Sequence, residues 1–311
     1  MINYMFVDLL DYIILIGMIL VGTAYLTLLE RKLLSYIQFR KGPNKVGLMG
    51  LLQPFSDGIK LFMKESLFIH KMNLLLYYFC PVMLFLISLI LWTLFPYFYN
   101  YISNVYSVLF FFCLLSLNIY PLMIMSWSSN SLYSSLGSLR SISQTISYEI
   151  SLILLMLSIL VMVEELNFFF FIFFQKYMMF FMLFMFISFM LFVSFMAELN
   201  RTPFDLIEGE SELVSGFNIE YMSGGFALIF LSEYGNIMFL MMIFGLMFFN
   251  TLKFMFFMYF SWSILLFMVL WIRGVLPRIR YDQLMYMVWL NYLPISLNFL
   301  ILYFYMKYVM L

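Results

Sequence analysis

The chain has 311 residues, of which 65% are hydrophobic and 10% are charged, and its formal net charge at pH 7 is zero. A soluble domain carries roughly 25% charged residues, so this chain has too little polar surface to cover a core in water. The composition excludes a water-soluble globular domain and predicts a helical protein that crosses a membrane several times.

Apolar stretches of about twenty residues recur along the chain, and each is long enough to cross roughly 30 Å of hydrocarbon as a helix. We therefore expect an all-α fold with about eight transmembrane helices, forming a single integral membrane domain over residues 1–311. The intervening run Phe168–Phe174 is predicted to be an interfacial loop. The predicted spans are Tyr12–Leu29, Leu74–Phe95, Val105–Met125, Ile142–Val163, Tyr177–Ala197, Phe226–Phe249, Phe254–Ile272 and Leu284–Met306.

Charge is distributed unevenly between the two sides that these spans define. Thirteen of the sixteen Lys and Arg residues fall in four loops that share one side. The positive-inside rule places those loops on the cytoplasm-like side, which in a mitochondrion is the matrix. These inner loops are residues 30–73, 126–141, 198–225 and 273–283.

A short amphipathic pattern within the first inner loop predicts a helix that begins near Pro54, a residue suited to a first helical position. Such a helix could lie in the interface and position the loop. It could also form the floor or doorway of a site for an amphipathic, lipid-soluble substrate. The apolar face would carry Phe55, Ile59, Phe62 and Met63, and the opposite face Asp57, Lys60 and Lys64.

The third inner loop is strongly acidic, with a single base, Arg201. Two carboxylates roughly 5 Å apart repel by about 3 kcal/mol at an effective dielectric constant near 20. That repulsion equals about two pKa units and would hold a proton near neutral pH. The alternative is an ordinary solvated loop. The acids are Glu198, Asp205, Glu208, Glu210, Glu212 and Glu220, and Asp205, Glu208 and Glu212 would share a face if the segment is helical.

Two more carboxylates fall inside predicted spans, Glu149 in the fourth and Glu233 in the sixth. A charge at the centre of a bilayer costs roughly 2.5–3.5 kcal/mol on insertion scales, so such residues usually face a polar interior and mark proton or ion paths. The alternative is a buried polar link between helices. Together with the acidic loop, they suggest either a proton-coupled secondary transporter or a membrane subunit of a larger redox machine.

The residues that hold redox cofactors and metals are scarce. Cys80 and Cys113 both lie in apolar runs, without metal-ligand spacing, and His70 is the sole histidine. A glycine-rich nucleotide loop is also missing from the sequence. We therefore expect this chain by itself to bind no metal, iron–sulfur cluster, flavin or NAD.

Five segments, in this order along the chain, resemble the inner-side segments of one known family, subunit 1 of NADH:ubiquinone oxidoreductase, also called respiratory complex I. The longest is AELNRTPFDLIEGESELVSGFNIEY, and WIRGVLPRIRYDQLM and SQTISYEI are similarly specific. Together they extend over most of the chain. The segments are Glu30–Gly47, Leu51–Glu65, Ser143–Ile150, Ala197–Tyr221 and Trp271–Met285.

The resemblance implies a subunit of H⁺-translocating NADH:ubiquinone reductase that holds no complete active site alone. Such a subunit forms much of the tunnel through which the substrate ubiquinone reaches an iron–sulfur cluster carried by a neighbour. On this pattern Arg31, Arg40, Asp57, Phe230 and Arg273 would line the passage, with the amphipathic segment beside its mouth. Proton coupling would use Glu149, Glu198, Asp205, Glu208, Glu210, Glu212 and Glu233.

The same resemblance implies a location and a set of partners. The location is the mitochondrial inner membrane, with several crossings and the signature loops on the matrix side. The expected partners are the peripheral-arm quinone-site and iron–sulfur subunits, neighbouring membrane-arm subunits, ubiquinone and lipids. Nucleic acid is not an expected partner.

Overall fold

A computed structural model describes residues 2–66, 72–97, 104–175, 178–206, 218, 220–249 and 255–310. Within these ranges the regular structure is helical, which confirms the predicted all-α fold. Short 3₁₀ turns occur at Leu48–Gly50 and Trp92–Leu94. The α-helices are α1 (Ile2–Ile37), α2 (Gln53–Met63), α3 (Leu74–Leu91), α4 (Ser107–Ser129), α5 (Leu132–Val163), α6 (Phe168–Phe174), α7 (Phe180–Leu183), α8 (Met185–Glu198), α9 (Ser223–Phe248), α10 (Met255–Val275), α11 (Tyr281–Tyr286) and α12 (Leu293–Met310), with a π-helical segment Met287–Tyr292 before α12.

Seven helical stretches in the described part of the chain are long and apolar enough to cross a membrane, and α8 is a shorter apolar helix. This supports the prediction of a polytopic membrane protein. The fifth predicted span differs, because the helix is interrupted at Phe184, whose backbone (φ −116°, ψ 37°) is not helical. The 14 residues of α8 extend only about 21 Å, so α8 by itself is shorter than the roughly 30 Å hydrocarbon core of a bilayer.

Helix α9 forms the centre of the bundle. All residues from Ile237 to Phe248 are buried, and α1, α3, α8 and α10 pack around the helix. The stretch from Ile237 to Phe248 is apolar on all sides, as expected for a helix that is surrounded by other helices within a membrane. The Trp262 indole on α10 donates to the Met238 carbonyl at 3.0 Å. The amide of Gln175 donates to the carbonyls of Leu246 and Met247 near the end of α9, at 3.0 and 2.7 Å.

The predicted interfacial loop Phe168–Phe174 is instead the helix α6. It is separate from the fourth span, as predicted, because Glu164 ends α5 in a left-handed conformation (φ 63°). Two side chains satisfy the first N–H groups of α6. The Asn167 side chain accepts from the Phe169 N–H at 3.0 Å, and Ser107 Oγ accepts from the Phe168 N–H at 2.9 Å.

The second predicted inner loop, residues 126–141, is almost entirely helical, since α4 continues to Ser129 and α5 begins at Leu132. Its many serines are the reason that the sequence predicted a polar loop here. In the folded chain most of those hydroxyls donate back to carbonyls one turn earlier, as Ser128 does to Met125 at 2.9 Å. Serine side chains bonded in this way can stay inside a helix.

The connection between α1 and α2 folds back on itself at Gly50, which has φ +80° and is buried. A Cβ atom on Gly50 would lie 2.4 Å from the Pro43 carbonyl oxygen. The neighbouring Met49 carbonyl accepts from the Lys32 ammonium at 2.8 Å. This turn therefore has no room for any residue except glycine.

We predict that Gly50→Ala destabilises the protein by more than the roughly 1 kcal/mol of an ordinary glycine replacement, because backbone must move to relieve the clash. Gly58→Ala is the matched control. Gly58 lies in α2 with open space around its Cα, so alanine there should raise helix stability by about 0.5–1 kcal/mol. Thermal midpoints of the two variants in detergent would check this. Equal midpoints would contradict it.

Candidate functional site

A buried charge cluster lies where α1, α9, α10 and the segment after α8 meet. The Glu30 carboxylate, 3% exposed at the residue level, forms ion pairs with Arg273 and, at 3.6 Å, with Arg201. It also accepts from the Tyr234 hydroxyl at 2.5 Å. Two guanidinium groups thus share one carboxylate in a place almost closed to solvent.

Arg201 connects this cluster to the next carboxylate. One of its nitrogens lies 3.9 Å from Glu233, whose side chain is 30% exposed, and the guanidinium stands 4.6 Å from the centroid of the Tyr234 ring. Cation–π contacts of this length are attractive, more so when the groups are desolvated. Arg201 therefore joins Glu30 and Glu233, which are 203 positions apart in the sequence.

Glu198 and Asn200 lie at the end of α8, beside Arg201. Oε2 of Glu198 and Oδ1 of Asn200 are buried without a hydrogen-bond partner in the part of the chain that is described. The fully buried Gln144 on α5 holds this end in place, since its amide donates to the carbonyls of Ala197 and Phe204, both at 2.9 Å.

Glu149 lies on α5 five residues after Gln144, about one and a half helical turns further along, and is half-buried. Its carboxyl group is close enough to Glu198 for the two charges to repel each other. The fold thus brings the predicted residues Glu149, Glu198 and Glu233 to one region.

Asp205 has a partner that its own loop does not contain. Its carboxylate lies 3.5 Å from Arg278, in the segment after α10, and the backbone N–H of Ile279 donates to the Pro203 carbonyl at 3.0 Å. Asp205 lies in a segment without regular secondary structure. It is therefore not part of the predicted helical face that it would have shared with Glu208 and Glu212. Glu208, Glu210 and Glu212 lie outside the described residues.

The predicted passage residues fall in two places. Arg31 at the end of α1 pairs with Asp57 on α2 at 2.5 Å, and Gln53 donates to the other carboxylate oxygen at 2.9 Å. Phe230 on α9 packs between Phe226 and Tyr234, with centroid distances of 4.4 and 6.1 Å.

The remaining two passage residues, Arg273 and Arg40, lie in different surroundings. Arg273 belongs to the buried cluster. Arg40 is exposed, hydrogen-bonds to the side chain of Gln38 and stands apart from the cluster. The fold therefore joins four of the five residues into two adjacent groups and leaves Arg40 on the surface.

The distal end of the acidic loop is anchored by two stacked tyrosines. The rings of Tyr77 and Tyr221 lie 4.3 Å apart and nearly parallel, at 5°. The Tyr77 hydroxyl donates to the Glu220 carbonyl at 2.6 Å, and the Tyr221 hydroxyl lies 3.3 Å from Ser128 Oγ. Burial raises the pKa of Tyr221 above its usual range, so this hydroxyl is neutral at physiological pH.

Comparison with known proteins identifies the family. The model of the family described as NADH dehydrogenase matches residues 10–304. This chain belongs to the NADH dehydrogenase family. It is 50% identical over 296 residues to NADH-ubiquinone oxidoreductase chain 1 of Locusta migratoria, covering 95% of this chain and 94% of the relative. The proteins of the same name from Aedes aegypti and Apis mellifera ligustica are 49% and 48% identical over 293 and 305 residues, covering 94% and 96% of this chain and 94% and 97% of theirs.

Membership of the NADH dehydrogenase family confirms the resemblance drawn from the inner-side segments. It argues against the secondary transporter, because the matching relatives are subunits named for an oxidoreductase. Within the described ranges, no three His, Cys, Asp or Glu side chains lie together as a metal site.

Three residues of the site were not predicted as functional: Glu30, Arg201 and Tyr234. Glu30 carried a weak signal, since it is a carboxylate at the end of a long apolar run beside Arg31 and Lys32. Arg201 stood out only as the single base of an acidic loop. Nothing in the local pattern showed that the two would meet.

Proposed function

We propose that this chain is the chain 1 membrane subunit of a proton-pumping NADH:ubiquinone oxidoreductase, respiratory complex I, in which it forms much of the ubiquinone passage and links quinone reduction to proton translocation. The observation that carries the proposal is the buried Glu30–Arg201–Arg273 cluster with Glu198 and Glu233 beside it. Family membership supports the same assignment.

The ubiquinone passage would run along the junction of α1, α2 and α9. Ubiquinone has a polar head and a long apolar tail, so its path needs aromatic or aliphatic walls with a few polar groups. Phe230 and Tyr234 supply an aromatic wall, and Arg31, Asp57 and Arg273 supply the polar groups. Arg40 would act at the surface near the mouth.

The mouth of the passage would lie at α2. Helix α2 has a strongly amphipathic sequence, and Ile59, Phe62 and Met63 on its apolar face are exposed. An exposed apolar face of this kind suits contact with lipid at the interface. A lipid-soluble substrate could therefore approach α2 from within the membrane.

Proton coupling would use Glu198 and Glu233, which line one cavity with Arg201, together with Glu149, Asp205 and the loop residues Glu208, Glu210 and Glu212. Reduction of ubiquinone to quinol takes up two protons and changes the charge near these groups. A carboxylate with a buried oxygen responds strongly to a nearby charge, because the low dielectric strengthens the interaction.

The location would be the mitochondrial inner membrane, with the charged loops on the matrix side as the positive-inside rule indicates. The redox cofactors would be held by peripheral-arm quinone-site and iron–sulfur subunits, and neighbouring membrane-arm subunits would receive the protons. Ubiquinone would be the substrate, and lipids would cover the outer faces of the bundle.

We predict that Arg273→Leu lowers ubiquinone reductase turnover by at least roughly tenfold, because the passage loses a positive group and Glu30 loses a partner. NADH oxidation by an artificial acceptor at the peripheral arm should stay near the wild-type rate. Both activities would be measured in native-gel-purified complex.

Arg280→Leu is the matched control, since Arg280 is exposed at the start of α11 and makes no ion pair with the described carboxylates. Its turnover should stay within about twofold of wild type. Wild-type ubiquinone reduction by an assembled Arg273→Leu complex would contradict the proposed passage. A chain that purifies as a stable monomer would contradict the proposed assembly.

A further inference from the structure

A cavity lies between α3, α4 and α9, and the segment after α8 closes its inner end. The volume open to the centre of a water molecule is about 60 Å³. One water needs roughly 10–15 Å³ by this measure, so the cavity has room for about four to six. The carboxylates Glu198 and Glu233 both line it, which makes it a space shared by two ionisable groups.

Two asparagines also line this cavity at the level of the bundle centre. Asn118 lies near the middle of α4 and Asn236 near the middle of α9. Helical spacing places Asn236 on the same face as Ser232 and Glu233, and all three line the cavity. Asn118 likewise shares its face with the cavity-lining Leu115 and Leu122.

The side-chain oxygens of Asn118 and Asn236 are buried and have no hydrogen-bond partner among the described residues. A buried carbonyl oxygen without a hydrogen-bond partner destabilises a fold, whereas an apolar side chain of similar size would not. Both asparagines line the cavity that Glu198 and Glu233 share. Water in the cavity would satisfy them, since each amide offers two donors and one acceptor group.

We propose that Asn118 and Asn236 are positioning residues that hold a short chain of water molecules through which a proton passes between Glu198 and Glu233. This inference rests on the proposed function and adds two groups to its proton path. An amide suits the task because it orients water by donating and accepting hydrogen bonds and does not itself take up or release a proton at physiological pH.

The transfer is balanced without any further reactant. A proton leaves one carboxyl group for the nearest water, successive O–H bonds form and break along the chain, and the last water gives a proton to the other carboxylate. No water is consumed. Arg201, which lies next to Glu233 and lines the same cavity, would lower the energy of whichever carboxylate is charged.

The test compares Asn118→Leu and Asn236→Leu with Asn118→Ser and Asn236→Ser in the assembled complex. Leucine fills the same space without a polar group, and serine keeps a hydroxyl that binds water. Each leucine variant should lower ubiquinone reductase turnover and protons moved per electron by at least roughly fivefold, and each serine variant by less than about twofold. The solvent deuterium isotope effect on turnover should rise in the leucine variants.

Asn298→Leu is the matched control, because Asn298 is exposed on α12 and away from the cavity; it should behave as wild type. Glu233→Gln is measured beside these variants. If the leucine variants have wild-type turnover and proton yield while Glu233→Gln is impaired, the water-chain proposal is overturned. If Glu233→Gln is normal as well, the carboxylate relay itself is overturned.

If a leucine variant fails to assemble, the alanine variant at the same position replaces it. Full activity of the alanine variant overturns the proposal, and loss of activity with alanine but not with serine supports it.

Discussion

Glu30→Gln is expected to cause the largest loss of stability of any single change in the site. The glutamine side chain can still accept from the Tyr234 hydroxyl, but it cannot balance the charges of Arg201 and Arg273. Removing one member of a buried ion pair costs about 3–5 kcal/mol, because the remaining charge stays desolvated. We expect a large fall in the amount of assembled complex on native gels and in its thermal midpoint.

Glu164→Gln is the matched control for this prediction. Glu164 also forms an ion pair, with Lys307 at 3.0 Å, but its side chain is 61% exposed. Exposed pairs contribute about 0–1 kcal/mol, so this variant should assemble normally. A thermal midpoint for Glu30→Gln equal to that of Glu164→Gln would show that the buried cluster does not stabilise the fold.

A double variant separates lost charge balance from lost packing. Glu30→Gln combined with Arg273→Gln removes one charge of each sign and leaves Arg201 with Glu233. The double variant should be destabilised by less than the sum of the two single variants, since its second change removes an unpaired buried charge. Simple additivity would mean that Glu30 and Arg273 act independently.

Glu149→Gln is expected to have the largest effect on coupling. The amide keeps the size and much of the hydrogen bonding of the carboxyl group but cannot exchange a proton. We expect the complex to assemble while ubiquinone reductase turnover and protons moved per electron fall by at least roughly tenfold. Removal of a general acid or base typically costs about 10²–10⁴-fold, and the effect here should be smaller because several carboxylates share the path.

Glu165→Gln, at the exposed end of α5 beyond Val163, is the control for Glu149→Gln. It should leave both quantities and the artificial-acceptor reaction unchanged. An assembled Glu149→Gln complex with wild-type turnover and proton yield would assign Glu149 a structural role, as the polar link between helices that its position in a span also allows.

The membrane class, most of the crossings and helix α2 were predictable from the sequence, because hydropathy and helical periodicity depend on residues close together in the chain. The break at Phe184 was not predictable. Every residue around it is apolar, so hydropathy stays high while the backbone leaves the helix. The serine-rich segment 126–141 was predicted to be a loop but is almost entirely helical, because most of its serine hydroxyls donate to carbonyls of the helix in which they lie.

The residues of the site can likewise be divided into those that the sequence predicted and those that only the folded structure revealed. Residue type and local setting were enough to select Arg31, Asp57, Glu149, Glu198, Glu233 and Arg273. The pairing of Glu30 with Tyr234 joins residues 204 positions apart, and the face that Asn118 and Asn236 turn to a common cavity depends on how α3, α4 and α9 pack. Local sequence patterns do not predict such distant contacts. The hydropathy of a span indicates only that the segment enters the membrane, whereas its rotation and its neighbouring helices are determined by side-chain packing.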